Sequence, residues 1–258
     1  MKDTVGSAAD DYILETRGLT KQFKGFTAVQ GVNLKIRRGT VHALIGPNGA
    51  GKTTTFNLLT KFLTPTAGVI LYNGEDITRV QPAAIARRGM ARSFQISAVF
   101  PHLTVHENVR IALQRVLGIS LHFWRSEKKL RALNGRADEL IEAVGLSEFT
   151  HSAAGDMSYG RRRALEIATT LALDPQMLLL DEPTSGLGRE DVSRIARLIR
   201  QVAQQRTVLM VEHNLSVVAD LCDRITVLSR GKILAEGTYQ DVSSNPEVIE
   251  AYMGTGHA

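Results

Sequence analysis

The sequence predicts an α/β protein: a core with a parallel sheet, an N-terminal antiparallel β subdomain and an inserted helical subdomain. Short apolar runs separated by glycines fill the first third of the chain. Apolar residues at helical spacing dominate the middle, from about residue 104 to residue 173. In the last third, fully apolar strands alternate with an amphipathic helix. Buried strands separated by helices indicate βαβ units, whose parallel sheet is covered on both faces.

The first third is expected to form short strands with turns at glycines. Gly18, Gly31 and Gly39 separate the apolar runs, and Asn73-Gly74 is typical of a tight turn. The predicted strands are Tyr12–Thr16, Val32–Ile36, Val41–Ile45 and Val69–Tyr72.

The middle of the chain is expected to be helical, and the last third to alternate. Apolar residues at positions 105, 109, 112, 113 and 116 keep helical spacing, and Gly145 is placed to end a second helix. In the last third we predict the strands Met177–Leu180 and Thr207–Val211, the helix Asp191–Ala203, and a hairpin of Ile225–Leu228 and Ile233–Ala235.

Composition and charge exclude several classes of protein. The 258 residues are 43% hydrophobic and 22% charged, as in a globular protein large enough to fold without disulfides. The one cysteine, Cys222, excludes an intrachain disulfide and a cysteine-based metal cluster. The N-terminal residues lack the apolar segment of a signal peptide, and no run of about 18 apolar residues would span a bilayer. We therefore expect a soluble, cytoplasmic and reduced protein with a mild net charge of +5.

A glycine-rich loop supplies the first functional motif. Residues 46–53 read Gly-Pro-Asn-Gly-Ala-Gly-Lys-Thr and fit G-x-x-x-x-G-K-[ST] completely, between a predicted strand and a predicted helix at Thr54–Phe62. Glycines let the backbone N–H groups point at phosphates, and the helix adds its positive N-terminal end. We expect Lys52 to reach the β- and γ-phosphates and the Thr53 hydroxyl to bind Mg²⁺. The alternative is a glycine-rich turn that happens to end in Lys-Thr.

Two adjacent carboxylates follow the apolar strand Met177–Leu180. A buried parallel strand delivers its carboxyl end to the ligand edge of the sheet, where two acids are costly unless a cation or a reaction uses them. Asp181 is the expected Mg²⁺ partner, and Glu182 the group that orients or deprotonates the attacking water. The alternative is a strand exit capped by Asp before Pro183. Together with the loop, these residues indicate a P-loop NTPase.

A series of smaller motifs resembles the ABC ATPases, over about residues 12–253. In chain order after the loop stand Arg92-Ser-Phe-Gln95, Ser158-Tyr-Gly-Arg161, Met177–Pro183, Ser185-Gly-Leu-Gly188 and His213. They are similar to the family's Q-loop, signature, Walker B, D-loop and H-loop. The resemblance implies a flexible N-terminus at 1–11, a single ATPase domain at 12–254 with its helical subdomain at about 97–172, and a tail at 255–258.

The resemblance also implies roles for single residues. Phe23 would stack on adenine, with Phe26 as the rival aromatic, and Gln95 would touch the Mg²⁺ and water region. His213 would contact the γ-phosphate, and Ser158 with Gly160 would bind the γ-phosphate of an opposite subunit. The full expected set is catalytic Glu182, His213 and Gln95; ATP-binding Phe23, Gly46, Pro47, Asn48, Gly49, Ala50, Gly51, Lys52, Thr53, Thr54, Ser158 and Gly160; and Mg²⁺-binding Thr53, Gln95 and Asp181.

The signature and the D-loop depart from the family pattern. Tyr159 replaces a glycine and Arg161 a glutamine, while Gly188 stands where the family has Asp or Asn. The Gly188 departure would affect communication between the two ATP sites of a dimer rather than ATP binding itself. The basic run Arg161–Arg163 is expected to be a solvated helix start, with contact to a phosphate as the alternative.

Three features resemble the ATP-binding subunits of importers for branched-chain amino acids and related amides. They are the C-terminal run Asn245–Gly254, the long helical region Leu117–Glu142 and the Tyr-Gly signature. The resemblance implies transmembrane permeases, a second ATPase subunit in a head-to-tail dimer, and indirectly an external solute-binding protein, at the cytoplasmic face of the inner membrane. Val99 and Phe100 are expected to contact a permease helix, and no nucleic acid is expected as a partner. The alternatives are the ATPase of a lipid or lipopolysaccharide exporter and a soluble, non-transport ABC ATPase.

Overall fold

The computed structural model describes residues 11–93, 99–116 and 127–253, and it confirms the α/β fold. The strands are β1 (Tyr12–Phe23), β2 (Phe26–Val32), β3 (Lys35–Arg37), β4 (Val41–Ile45), β5 (Ala67–Tyr72), β6 (Glu75–Asp76), β7 (Met90–Ser93), β8 (Met177–Asp181), β9 (Thr207–Val211), β10 (Arg224–Ser229) and β11 (Lys232–Gly237). The helices are α1 (Lys52–Leu59), α2 (Pro82–Arg87), α3 (Val105–Val116), α4 (Glu127–Ala143), α5 (Tyr159–Leu171), α6 (Arg189–Ala203), α7 (Leu215–Leu221), α8 (Tyr239–Ser243) and α9 (Pro246–Met253).

The N-terminal strands form the predicted antiparallel sheet. Its order is β2-β1-β5-β6, and β3 also pairs with β1. The prediction of one strand over Val32–Ile36 was wrong, because β2 ends at Val32 and β3 begins at Lys35. At this break the Thr16 hydroxyl donates to the carbonyl oxygen of Val32 at 2.9 Å and accepts from the backbone N–H of Leu34 at 2.8 Å. The Thr16 side chain therefore adds to a backbone hydrogen bond from the N–H of Thr16 to the carbonyl oxygen of Leu34 at 2.8 Å, and the apolar alternation continues across the gap.

The second sheet carries the parallel core, in the order β11-β10-β4-β9-β8-β7. All neighbours from β10 to β7 are parallel, and β11 closes the predicted hairpin with β10. Val211 at the end of β9 pairs with Leu44 of β4 and with Asp181 of β8. The carboxyl ends of β4, β9 and β8 therefore lie side by side at one edge of the sheet.

Alternate residues of the buried strands face two different cores. On β4, Val41, Ala43 and Ile45 join the core that includes α3, α4, α5 and α6, whereas Leu44 joins the core shared with α1 and the antiparallel sheet. The parallel sheet is thus covered on both faces, as its continuous apolar strands predict.

Where the structure describes the middle of the chain, its helices agree with the pattern, while residues 117–126 of the predicted helical region Leu117–Glu142 lie outside the described residues. Helices α3, α4 and α5 pack against one another, and α4 ends just before Gly145, whose positive φ of 69° suits a helix stop. Among the described helices, none combines the length and the apolarity needed to span a bilayer.

Candidate nucleotide site

The loop after β4 is built around glycines that tolerate no side chain. A Cβ on Gly46 would lie 2.1 Å from the carbonyl oxygen of Leu228, and a Cβ on Gly51 would lie 2.6 Å from that of Ala28. Both glycines have positive φ, at 149° and 98°. The loop is therefore pressed against β10 and β2, and its tip at Asn48 and Gly49 is exposed.

Lys52 opens α1 and turns its side chain back into this loop. Its Nζ donates to the carbonyl oxygens of Gly46 at 2.7 Å and Pro47 at 2.9 Å. Burial lowers the pKa of Lys52, and the nearby Glu182 carboxylate opposes that shift. A phosphate is a stronger acceptor than these neutral carbonyl groups, so the ammonium and the loop fit a nucleotide's phosphates. The Thr53 hydroxyl stands on the exposed start of the same helix.

The two carboxylates at the end of β8 have different surroundings. Asp181 is buried, and its Oδ2 accepts a 2.6 Å hydrogen bond from Nη2 of Arg92. Glu182 has a left-handed φ of 46°, and its side chain is about one quarter exposed. Its Oε1 lies 3.9 Å from Nδ1 of His213, which follows the neighbouring strand β9 by two residues. The strand order thus brings Lys52, Glu182 and His213 to one edge.

This edge of the sheet offers enough ligands for Mg²⁺ only when the phosphates of a nucleotide are bound as well. Among the described residues, no group of three or more His, Cys, Asp or Glu side chains is placed to hold a metal. Mg²⁺ commonly binds through one or two protein ligands plus substrate phosphates, so Asp181 and Thr53 suit it when phosphates are bound. Gln95, the third expected ligand, lies outside the described residues.

Glu212, the residue before His213, is a part of the site that was not predicted from the sequence. Glu212 is almost fully buried, and its Oε1 accepts from the backbone N–H of Thr184 at 3.0 Å and from that residue's hydroxyl at 2.5 Å. Its Oε2 accepts from the backbone N–H groups of His213 at 2.9 Å and Asn214 at 3.1 Å. A carboxylate directly after the apolar strand Thr207–Val211 was the signal that could have found it.

The expectation of a solvated Arg161–Arg163 was wrong for Arg163. This side chain is buried, and Nη2 donates to the carbonyl oxygen of Asp181 at 2.8 Å, while Nε donates to that of Pro183 at 3.3 Å. Its Nη1 also pairs with Glu166 at 2.6 Å. Helix α5 is thereby tied to the chain on both sides of Glu182, a contact between residues that are far apart in sequence.

The other expected site residues lie at the surface or at helix starts. Ser158 caps α5, with its Oγ accepting from the backbone N–H of Arg161, and Gly160 lies so close to Asp191 that a Cβ would meet its carboxylate at 2.3 Å. Phe23 and Phe26 are paired across the β1–β2 hairpin, and their side chains are 41% and 65% exposed. Either ring is accessible for stacking.

The C-terminal helix also contacts the glycine-rich loop. The Tyr252 hydroxyl accepts a hydrogen bond from the backbone N–H of Gly46, and burial raises the pKa of Tyr252. Tyr252 packs against the helical core as well, so α9 supports the start of the loop. This contact was not predicted from the sequence of the C-terminal segment.

A glycine-rich loop between the parallel strand β4 and a helix, with acidic residues at the end of β8 in the same sheet, defines the protein as a P-loop nucleotide-binding protein. The comparison with known families is more specific. The ABC transporter family matches residues 29–185, and the branched-chain amino acid ATP-binding cassette transporter family matches residues 232–258. The chain belongs to the ABC transporter family.

Curated relatives resemble the chain over nearly its whole length. The high-affinity branched-chain amino acid transport ATP-binding protein BraF of Pseudomonas aeruginosa is 40% identical over 252 residues, covering 94% of this chain and 98% of BraF. The corresponding protein LivG of Escherichia coli K12 is 38% identical with the same coverage.

Solved structures agree on the fold. The ADP conformation of MJ1267, an ATP-binding cassette of an ABC transporter, matches with a TM-score of 0.83 and 29% identity, over 94% of this chain and 99% of that one. The dimeric structure of MJ0796, a bacterial ABC transporter cassette, matches with a TM-score of 0.73 and 25% identity, over 88% of this chain and 98% of that one.

Proposed function

We propose that the chain is the ATP-binding and hydrolysing subunit of an ABC importer for branched-chain amino acids or related small polar solutes. The observation that carries the proposal is the edge where β4, β9 and β8 end together, which gathers Lys52, Asp181, Glu182 and His213. The solute class rests on the names of the relatives and on the match of the C-terminal residues.

ATP is assigned to the loop and Mg²⁺ to the neighbouring carboxylate. Residues 46–54 would hold the phosphates with backbone N–H groups and with Lys52, and Phe23 would stack on the base. Thr53 and Asp181, together with Gln95, would hold Mg²⁺. When bound there, Mg²⁺ would supply positive charge that neutralises the developing charge on the phosphate oxygens.

Hydrolysis is assigned to Glu182 with help from His213. A carboxylate that is partly exposed at this edge of the sheet can accept the proton of an attacking water. His213 lies within 3.9 Å of that carboxylate, so it would reach the same γ-phosphate. Arg163 and Glu212 hold the backbone around these two residues and act as positioning residues.

A second ATPase subunit, either a copy or a paralogue, is proposed to complete each site. Ser158 and Gly160 open α5, a second helix start with N–H groups suited to an anion. In a head-to-tail dimer with two-fold symmetry, this helix start would face the nucleotide of the other subunit. The dimeric structure of MJ0796 supports the pairing of two ATPase subunits.

Permease subunits are proposed to dock beside α3, in the helical subdomain assigned to residues 97–172. A cavity of about 500 Å³ lies between α3 and α5, and its lining includes Phe100, Asn108, Ile111 and Leu173. Phe100 is 54% exposed and Ile111 38%, so the rim offers apolar surface to a partner helix. Val99 packs partly against the core and would contribute less. This docking would place the chain at the cytoplasmic face of the inner membrane.

The docking site can be tested with Phe100→Asp. A charge in the groove should lower leucine uptake by cells at least tenfold, while the isolated ATPase keeps its basal rate, because Phe100 lies outside the nucleotide site. Ile249→Asp, which places a charge at an exposed apolar side chain of α9, away from this cavity, is the control and should keep uptake. Normal uptake in Phe100→Asp would show that the groove is not the docking site.

The transporter class is tested by purifying the tagged chain from membranes. We expect permease subunits to accompany it, and we expect ATP-dependent leucine uptake by the purified complex in vesicles. Co-purification with a lipid-exporting membrane protein, or with ribosomes, would overturn the importer proposal and favour one of the two alternatives.

A further inference from the structure

Arg92 connects the proposed magnesium ligand with two other parts of the site. It belongs to β7, the strand at the edge of the parallel sheet, and is paired there with Leu179 of β8. Its side chain is only 11% exposed, and that of Asp181 only 6%. The pair is therefore a largely buried ion pair, and removing either partner would leave an uncompensated buried charge.

The guanidinium group is held from several sides. Nη2 donates to Oδ2 of Asp181 at 2.6 Å, and Nη1 donates to Oδ1 of Asn57 at 2.6 Å and to the Thr60 hydroxyl at 3.3 Å. The same group lies 5.1 Å from the ring centroid of Phe56. Because Asn57 and Thr60 follow the glycine-rich loop along the chain, Arg92 joins the end of β8 to the helix of the phosphate loop.

We propose that Arg92 holds the Asp181 carboxylate in the nucleotide-free protein and competes there with Mg²⁺. A buried carboxylate needs a cation, and the guanidinium supplies it before a metal arrives. When Mg²⁺ enters with a nucleotide, the carboxylate has to turn from the guanidinium towards the metal, because two cations repel each other across one carboxylate. Arg92 would thus set the metal dependence of nucleotide binding, which rests on the proposed magnesium role of Asp181.

The exchange would also reach the surface proposed for the permease. Arg92 lines the same cavity as Phe100, Asn108 and Ile111. A guanidinium that loses its carboxylate changes the charge at the floor of that groove. Arg92 would therefore couple Mg²⁺ binding at the nucleotide site to the charge of the groove, without contacting the nucleotide itself.

The test is calorimetry with ADP, with Mg²⁺ and with EDTA, on the wild type and Arg92→Met. The quantity of interest is the factor by which Mg²⁺ tightens ADP binding. We expect this factor to rise at least tenfold in Arg92→Met, because the metal no longer displaces a cation from Asp181. The melting temperature of the nucleotide-free variant should fall, and ADP with Mg²⁺ should restore it while ADP with EDTA should not.

Arg88→Met is the matched control. Arg88 is an arginine nearby in sequence whose ion pair with Glu75, at 2.8 Å, lies on the surface. Its loss should leave the Mg²⁺ factor unchanged. An equal Mg²⁺ factor in the wild type and in Arg92→Met would overturn the proposal.

Two further variants keep the result decisive. Asn57→Ala removes one anchor of the guanidinium but leaves the buried pair, so it should fold and raise the Mg²⁺ factor two- to fivefold. If Arg92→Met does not fold, an unchanged factor in Asn57→Ala overturns the proposal.

Asp181→Asn tests the metal site itself and should abolish most of the effect of Mg²⁺ on ADP binding. If it does not, Asp181 is not the metal ligand, and the proposed magnesium site is wrong whatever the result for Arg92.

Discussion

At the residue scale, the site contains two glutamates, Glu212 and Glu182, whose surroundings differ. Glu212 uses both oxygens to hold Thr184 and the backbone of His213, and it leaves no oxygen for a substrate. Glu182, by contrast, is partly exposed beside the imidazole. The two acids lie at the ends of neighbouring strands but have different tasks, one in positioning and one in chemistry.

Glu212→Gln should lower kcat for ATP hydrolysis about 10- to 100-fold and leave KM within about twofold. The amide nitrogen would face N–H donors, and each unmet buried donor costs about 1–3 kcal/mol, which displaces His213 and Thr184 rather than the phosphate loop. Steady-state kinetics measure both constants. Glu190→Gln, on the exposed first turn of α6, is the control. An unaltered kcat in Glu212→Gln would show that Glu212 does not position the site.

At the element scale, β4 carries a buried histidine in the middle of the parallel sheet. The Nε2 of His42 lies 2.8 Å from the Thr226 hydroxyl on β10. Burial, with a smaller contribution from the positive charge of Arg224, lowers the pKa of His42 from 6.5 to about 3. The neutral imidazole is thus part of the folded sheet.

The pH dependence of stability follows from that pKa. The unfolded chain takes up a proton below pH 6.5 and the folded chain does not, so this contribution is fully present above pH 6.5 and is lost as the pH falls towards 3. Between pH 7.5 and pH 5, the wild type should lose about 2 kcal/mol more free energy of unfolding than His42→Gln. Urea unfolding at the two pH values measures the difference. The exposed His102→Gln should behave as the wild type, and an equal loss in His42→Gln would contradict the expectation.

The boundaries of the strands show which features of the fold a local sequence pattern can predict. Strands β4 and β9 were predicted with their correct bounds, because a continuous apolar run is local information. The division between β2 and β3 was not predicted, because it depends on the Thr16 hydroxyl of another strand. The same limit applies to Arg163 and Arg92, whose functional contacts join residues that are distant in sequence.

At the scale of the whole molecule, strand order determines which residues meet. Lys52, Asp181 and Glu182 could be predicted from local motifs, since each follows a recognisable strand. Their closeness to His213 could not be derived from a motif, because it requires β4, β9 and β8 to be neighbours. The dimer and the permease contact remain predictions that the single chain does not test.

The dimer is best tested with Glu182→Gln, which keeps the size of the side chain and removes the proton acceptor. The variant should bind ATP, and it should elute as a dimer on size exclusion when ATP is present, because the bound nucleotide is no longer consumed. The wild type should elute as a monomer after its ATP is hydrolysed. A Glu182→Gln protein that stays monomeric at saturating ATP would contradict the head-to-tail arrangement.

The central claim is that ATP hydrolysis at this site drives solute import. The most direct measurement is leucine uptake and ATP turnover in vesicles that contain the complete transporter, with either the wild-type chain or Glu182→Gln. We predict that the variant binds ATP with unchanged affinity and loses both activities together, by the roughly 10²–10⁴-fold that general-base catalysis contributes. Continued ATP-dependent uptake at the wild-type rate in Glu182→Gln would contradict the account.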